Sequence, residues 1–197
     1  MTPPPVETLR GGFADGPTDS AHAFRAILDV MARPGTIATL RGAAPPAPMS
    51  PAAGAVLLTL CDATTPLFLG GAHDCQAVRD WVTFHCAAPL VEANSASFAL
   101  GSWQALQPVS RFSIGQPDYP DRAATLIVEM PELRADGALL RGPGIAKTAQ
   151  LNLPELSAFK GNHALFPLGF DCLFTCGAQV AGLPRSTKIE DPTCMSQ

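Results

Sequence analysis

The sequence predicts a single α/β domain of three layers built around a mixed β-sheet. Two observations carry this expectation. Helix-period and strand-period segments alternate through the first half of the chain, and short apolar strands dominate the second half. A length of 197 residues suits one domain. At that size about 70% of the unfolded surface can be buried, which permits a sizeable core without disulfide or metal staples.

The elements follow in order. Residues 1–12 are proline-rich and expected to be loosely ordered. A helix then opens at Asp19 or Ser20, either of which can accept a first-turn N–H, and ends at Pro34-Gly35. Phe24, Ile27, Leu28 and Met31 recur at helical spacing and fall on one face. Thr36–Leu40 alternates as a short strand. Ala43–Pro51 carries Pro45, Pro46, Pro48 and Pro51 and reads as a loop, with Pro51 opening a buried helix through Leu60. Pro66–Gly70 reads as a strand closed by Gly70-Gly71. Asp74 can cap the next helix, in which Val78, Trp81, Val82 and His85 share a face. Ser97–Leu100 is strand-like, and Ala123–Met130 reads as a central apolar strand. Leu139-Leu140 runs into a glycine turn, and Phe170–Cys176 with Gln179–Leu183 form a hairpin around Gly177. Residues 188–197 are expected to be a flexible tail, and no internal repeat or domain boundary is visible.

Composition excludes several classes of function. The net charge is −4 and only 15% of residues are charged, against about 25% in typical domains. No basic excess is available to neutralise phosphates along a nucleic acid. Sparse charge and a mean hydropathy of +0.17 fit two readings equally, an apolar surface covered by another chain or an alanine-rich composition. The longest apolar run, Ala52–Cys61, is broken by Gly54 and Thr59 and falls short of the roughly 20 residues a membrane span requires. The start Met1-Thr-Pro-Pro-Pro-Val-Glu has neither the basic nor the apolar region of a secretory signal, so a cytoplasmic protein is expected. Six cysteines sit largely within apolar runs and read as buried free thiols.

Familiar catalytic and cofactor motifs are missing. No CxxC pair is present, and Cys172 and Cys176 have no histidine nearby, so no metal site is expected. The phosphate loop, the dinucleotide fingerprint and the nucleophile elbow are all absent. His22, His73, His85 and His163 are scattered, with His85 read as packed beside Trp81. Three stretches could carry chemistry. Arg141-Gly142-Pro143-Gly144-Ile145 can form an anion nest beside a cation, or a tight turn that uses glycine conformations. Asp118-Tyr119-Pro120-Asp121-Arg122 can present Asp121 and Arg122 to a ligand, or form a solvated turn. Leu183-Pro184-Arg185-Ser186-Thr187-Lys188 places two cations around two hydroxyls, suited to a phosphate or to a partner's carboxylates, or makes an exposed tail.

These stretches belong to a longer pattern. It comprises Gly11-Gly12-Phe13-Ala14-Asp15, Ser20 with Ala23-Phe24-Arg25, and Met31-Ala32-Arg33-Pro34-Gly35. It continues through Leu57–Leu60, Asp62–Pro66, Phe84-His85 and Tyr119-Pro120-Asp121. It closes with Gly142–Ile145, Asn162–Gly169 and Leu183–Thr187. No single motif is decisive, but their order from residue 11 to 187 resembles the H subunit of the bacterial carbon–phosphorus lyase system. The family commonly has Thr-Thr where this chain has Ser186-Thr187, which keeps the hydroxyl.

The resemblance implies a homodimer that works with G, I and J subunits in a core complex. That complex converts ATP and an alkyl phosphonate to a ribose 1-phosphonate 5-triphosphate and adenine, while radical C–P cleavage belongs to the J subunit. It also implies a fold like a shortened pyridoxal-phosphate-dependent transferase. A pyridoxal enzyme needs a Schiff-base lysine. Lys147 follows the glycine turn, Lys160 falls in an apparent loop, and Lys188 lies near the chain end, so none has a cofactor context and no cofactor is expected. The leading expectation is a non-catalytic or ligand-assisting subunit. The alternative gives Arg141, Gly142, Gly144, Arg185 and Ser186 a direct role in nucleotide binding, with Asp121 supporting ribosyl transfer.

Overall fold

The structure, a computed structural model, describes residues 10–191. A six-stranded mixed sheet has the order β1 (Ile37–Thr39), β10 (Gln179–Leu183), β9 (Asp171–Cys176), β6 (Thr125–Glu129), β3 (Phe98–Ser102), β2 (Leu67–Leu69). β2, β3, β6 and β9 run parallel; β10 pairs antiparallel with both β9 and β1.

Strand alternation builds two cores. Leu100, Ile127, Leu173 and Val180 point to one face, where α1 (Gly16–Ala32), α2 (Pro51–Leu60) and α3 (Gln76–His85) pack. Ala99, Leu126, Val128, Cys172, Phe174 and Ala181 point to the other. That face is covered by α4 (Leu156–Ala164) and a three-stranded sheet of β11 (Lys188–Glu190), β7 (Ala138–Arg141) and β8 (Ala149–Leu151). A separate hairpin pairs β4 (Ile114–Gln116) with β5 (Tyr119–Ala123). The α/β mixed-sheet expectation holds, and the third layer is largely a small sheet.

Local chemistry places each helix. Asp15, not Asp19 or Ser20, caps α1, its carboxylate accepting from Thr18 N at 3.4 Å. The buried face of α1 is Ala23, Ile27 and Val30, whereas Phe24 and Leu28 are 51% and 57% exposed. The reason lies opposite: a Cβ on Gly182 of β10 would come within 2.8 Å of the Met31 backbone nitrogen. The helix backbone is seated on that glycine, with Val30 and the Met31 sulfur directly against it. Ser50 caps α2, accepting from Ala53 N at 3.1 Å, and Ala52–Leu57 are all buried. Asp74 does not cap α3; it pairs with Arg79 at 2.5 Å, and Cys75 takes the cap position without a side-chain bond.

Three further expectations are corrected. Arg10–Gly12 are held in place: Trp81 Nε1 donates to Arg10 O at 3.0 Å and Ala44 N to Gly11 O at 2.8 Å. Lys188–Glu190 form β11 and not a flexible tail, because their backbone completes the small sheet against β7. Lys160 lies in α4, not in a loop. Residues 1–9 and 192–197 of the two expected loose ends lie outside the described residues. No helix among the described residues is long and apolar enough to cross a membrane. Cys61, Cys75, Cys86, Cys172 and Cys176 are free, and burial pushes the Cys61 and Cys86 thiols up to about 12.

Candidate functional site

The residues singled out in the sequence gather at the amino ends of β6 and β9. Asp171 opens β9, and its Oδ1 accepts from the backbone N of Arg185 at 2.8 Å. The Arg185 guanidinium returns to the same carboxylate, Nη2 reaching Oδ2 at 2.5 Å and Nε lying 3.1 and 3.2 Å from the two oxygens. Its Nη1 donates to Pro120 O at 2.7 Å, which brings the neighbouring Asp121 and the β4–β5 hairpin to this edge. Asp121 itself is exposed. His163 Nδ1 lies 3.2 Å from Arg185 O.

The glycine turn meets the same segment through the small sheet, where Arg141 pairs with Lys188. Gly142 has a φ of +133°, and a Cβ there would stand 3.2 Å from Ser186 O. Gly144 faces elsewhere. At φ +78° it presses on the end of α1, where a Cβ would fall 1.7 Å from Ala32 O, so only glycine fits. Arg141 Nε pairs with Glu190 Oε2 at 3.0 Å and Lys188 Nζ with Oε1 at 2.8 Å; these two cations hold the Glu190 carboxyl below the usual carboxylate range. Thr187 is buried, its hydroxyl without a hydrogen-bond partner.

Arg141, Gly142, Arg185 and Ser186 thus come together, Asp121 stands at their border, and Gly144 serves packing. Arg185 forms a charge-assisted, multidentate tie that joins strand, turn and hairpin. An incoming anion would compete with Asp171 for Arg185 and with Glu190 for Arg141. Among the described residues no group of three or more His, Cys, Asp or Glu side chains could hold a metal ion.

The opposite, carboxyl edge of the parallel strands holds a polar knot that sequence reasoning missed. Glu129 ends β6, and its Oε1 accepts from Ser50 N at 2.7 Å while Oε2 accepts from Thr175 Oγ1 at 3.1 Å. His73, in the 3₁₀ turn after β2, places Nε2 3.9 Å from Oε1 and has no hydrogen-bond partner for that atom. Burial lowers the His73 pKa below its ordinary value, and the nearby Glu129 charge opposes that effect in part. The only sequence signal was one acidic residue at the end of the apolar run Thr125–Val128.

Residues 11–190 match the family described as bacterial phosphonate metabolism protein (PhnH). The chain is also 39% identical over 191 residues to the α-D-ribose 1-methylphosphonate 5-triphosphate synthase subunit PhnH of Rhizobium meliloti (strain 1021), covering 91% of this chain and 94% of that relative. The span of the family match takes in both edges of the sheet and every motif named above, and the chain belongs to the bacterial phosphonate metabolism (PhnH) family.

Proposed function

We propose that this chain is a non-catalytic or ligand-assisting subunit of a cytoplasmic complex that forms a ribose 1-phosphonate 5-triphosphate from ATP and an alkyl phosphonate. It acts as a homodimer beside G, I and J subunits. The observation that carries this reading is the near-full-length similarity to a subunit of such a synthase. The surface is consistent with it. Phe24 and Leu28 form an exposed apolar pair on α1, Phe84 is 59% exposed on α3, and Leu165 and Phe166 stand out after α4. Apolar side chains left in water at this density suit burial against other chains.

The same reading takes the fold as a shortened relative of pyridoxal-phosphate-dependent transferases that works without the cofactor. The residues present do not fit a Schiff-base site. Lys147 is exposed, Lys160 pairs with Asp191 at 2.6 Å, and Lys188 pairs with Glu190.

The test is reconstitution. The isolated chain should sediment as a dimer and release no adenine from ATP with phosphonate present, while co-expression with the partner subunits should yield a stable, active complex. Robust turnover by the chain alone refutes the non-catalytic role. A second reading is favoured by the convergence of Arg141, Gly142, Arg185 and Ser186 beside Asp121 at one edge. Here that edge holds the phosphates of ATP or of the triphosphate product, with Asp121 supporting ribosyl transfer. It requires that Arg141→Ala lower the nucleotide affinity of the assembled complex.

A further inference from the structure

Several stretches of the family pattern, far apart in sequence, meet at a cavity that neither edge of the sheet uses. The cavity measures about 620 Å³, and Arg10, Gly12, Phe13, Ser20, Leu58 and His85 are among its lining residues. This volume lies within the roughly 300–1,000 Å³ range of small-molecule sites.

Its wall is built by specific packing. Gly11 has a φ of +93°, and its backbone lies so close to Ala44 that a Cβ would come within 2.0 Å of the carbonyl oxygen. Gly12 lies against the His85 ring, where a Cβ would come within 2.6 Å. His85 in turn stacks on Trp81, with ring centroids 4.8 Å apart, and Trp81 holds the Arg10 carbonyl. Each glycine is there because a side chain would displace the neighbour that shapes the wall.

The cavity offers a cation and a hydroxyl. Arg33, Arg79, Arg134, Arg141 and Arg185 each have a carboxylate partner. Among the described residues Arg10, like Arg25, Arg41, Arg111 and Arg122, has none, and of these five Arg10 alone lines this cavity. Ser20, in the opening turns of α1, lines the same cavity. The two carboxylates at the start of α1 accept from backbone N–H groups, Asp15 Oδ1 from Thr18 N at 3.4 Å and Asp19 Oδ2 from Asp15 N at 3.1 Å. Phe13 and Leu58 supply an apolar side, and His85 a ring face.

We propose that this cavity binds a phosphorylated or phosphonylated small molecule up to mononucleotide size. Its oxyanion is held by Arg10 and Ser20, and its organic part lies against Phe13, Leu58 and His85. An arginine fork is suited to a tetrahedral oxyanion, and a serine hydroxyl adds an adaptable donor. This deepens the subunit role proposed above and rests on it for the class of compound presented to the site.

The experiment titrates the purified full chain with ATP, with tripolyphosphate and with methylphosphonate, each read by calorimetry. Saturable binding of at least one is expected. Arg10→Ala should weaken it by about tenfold to a hundredfold, the usual effect of losing a charged hydrogen bond. Ser20→Ala should weaken it less, and Arg41→Ala, outside the cavity, should leave it unchanged. ATP with tripolyphosphate as competitor identifies a phosphate ligand, and methylphosphonate alone identifies a phosphonate. Absence of saturable binding by all three, or binding that Arg10→Ala and Ser20→Ala both leave intact, overturns the proposal. Co-purification of Arg10→Ala with the partner subunits is read separately, so failure of complex assembly is distinguished from failure of this site.

Discussion

Replacing Arg185 with alanine separates a structural tie from a ligand-binding arginine. The substitution removes three side-chain contacts to Asp171 and one to Pro120 O, and leaves the Asp171 carboxylate with a single backbone donor. The two side chains are only 13% and 19% exposed. Removing one partner of a buried ion pair costs about 3–5 kcal/mol, and the residual exposure lowers this to about 2–4 kcal/mol. At roughly 2–4 °C per kcal/mol for a chain of this size, the melting temperature should fall by about 4–16 °C. Thermal unfolding of the purified chain, followed by circular dichroism, reads it directly. A double-mutant cycle with Asp171→Asn should show a coupling of about 1–3 kcal/mol. If Arg185→Ala melts within about 1 °C of the parent, the tie carries no stability and the argument from its geometry fails.

Other outcomes follow from the same physics. Gly182→Val should cost at least about 1–3 kcal/mol by overpacking against the Met31 backbone, and near-parental chemical denaturation would refute the seating of α1 on β10. His73 favours its neutral form in the fold, because burial lowers its pKa from an ordinary value of 6.5. Its contribution is therefore present above pH 6.5 and lost as pH falls through the lower folded value, so His73→Leu should flatten that acid limb of the stability profile. The Cys61 and Cys86 thiols favour their neutral form up to about 12. Stability should accordingly decline as pH rises from about 9 toward about 12, and Cys61→Ala with Cys86→Ala should reduce that slope. In the folded chain at pH 8, Cys75 and Cys176 should react with a thiol reagent well before Cys61, Cys86 and Cys172, as labelling and mass spectrometry would show.

Much of the fold was legible because its elements carry local signals. Pro51 and the apolar run to Leu60 define α2, and the Asp171–Leu183 hairpin is marked by Gly177 between two apolar strands. The facing of α1 was legible only in part: Ile27 and Met31 turn inward as expected, and Phe24 and Leu28 do not. Phe24 and Leu28 are more apolar than Ala23, but the approach of helix to strand is set by Gly182, some 150 residues away in sequence, and the helix is turned so that Val30 and Met31 meet that glycine. Helix α4 was missed because its sequence has little amphipathic pattern. Its place is fixed by Asn162, whose side chain donates to Phe170 O at 2.8 Å and accepts from Phe170 N at 2.9 Å. The hairpin β4–β5 was read as a turn because Pro120 argues against a strand interior, yet an edge position tolerates it.

The candidate site divides in the same way. The motifs single out Arg141, Gly142, Arg185 and Ser186, and the small sheet brings them together through the β7–β11 pairing. Ser50, His73, Glu129 and Thr175 form no motif, since each reaches the knot from a different element. Only the crossing of the chain at the carboxyl edge makes them neighbours.

Fastening at both tips has a mechanical meaning for β6 and β9. With Asp171 anchored to Arg185 at one extremity and Glu129 moored to Ser50 and Thr175 at the other, this pair of strands has no loose end from which to shear or fray. The middle of the sheet thereby serves as a stationary frame for the segments packed around it.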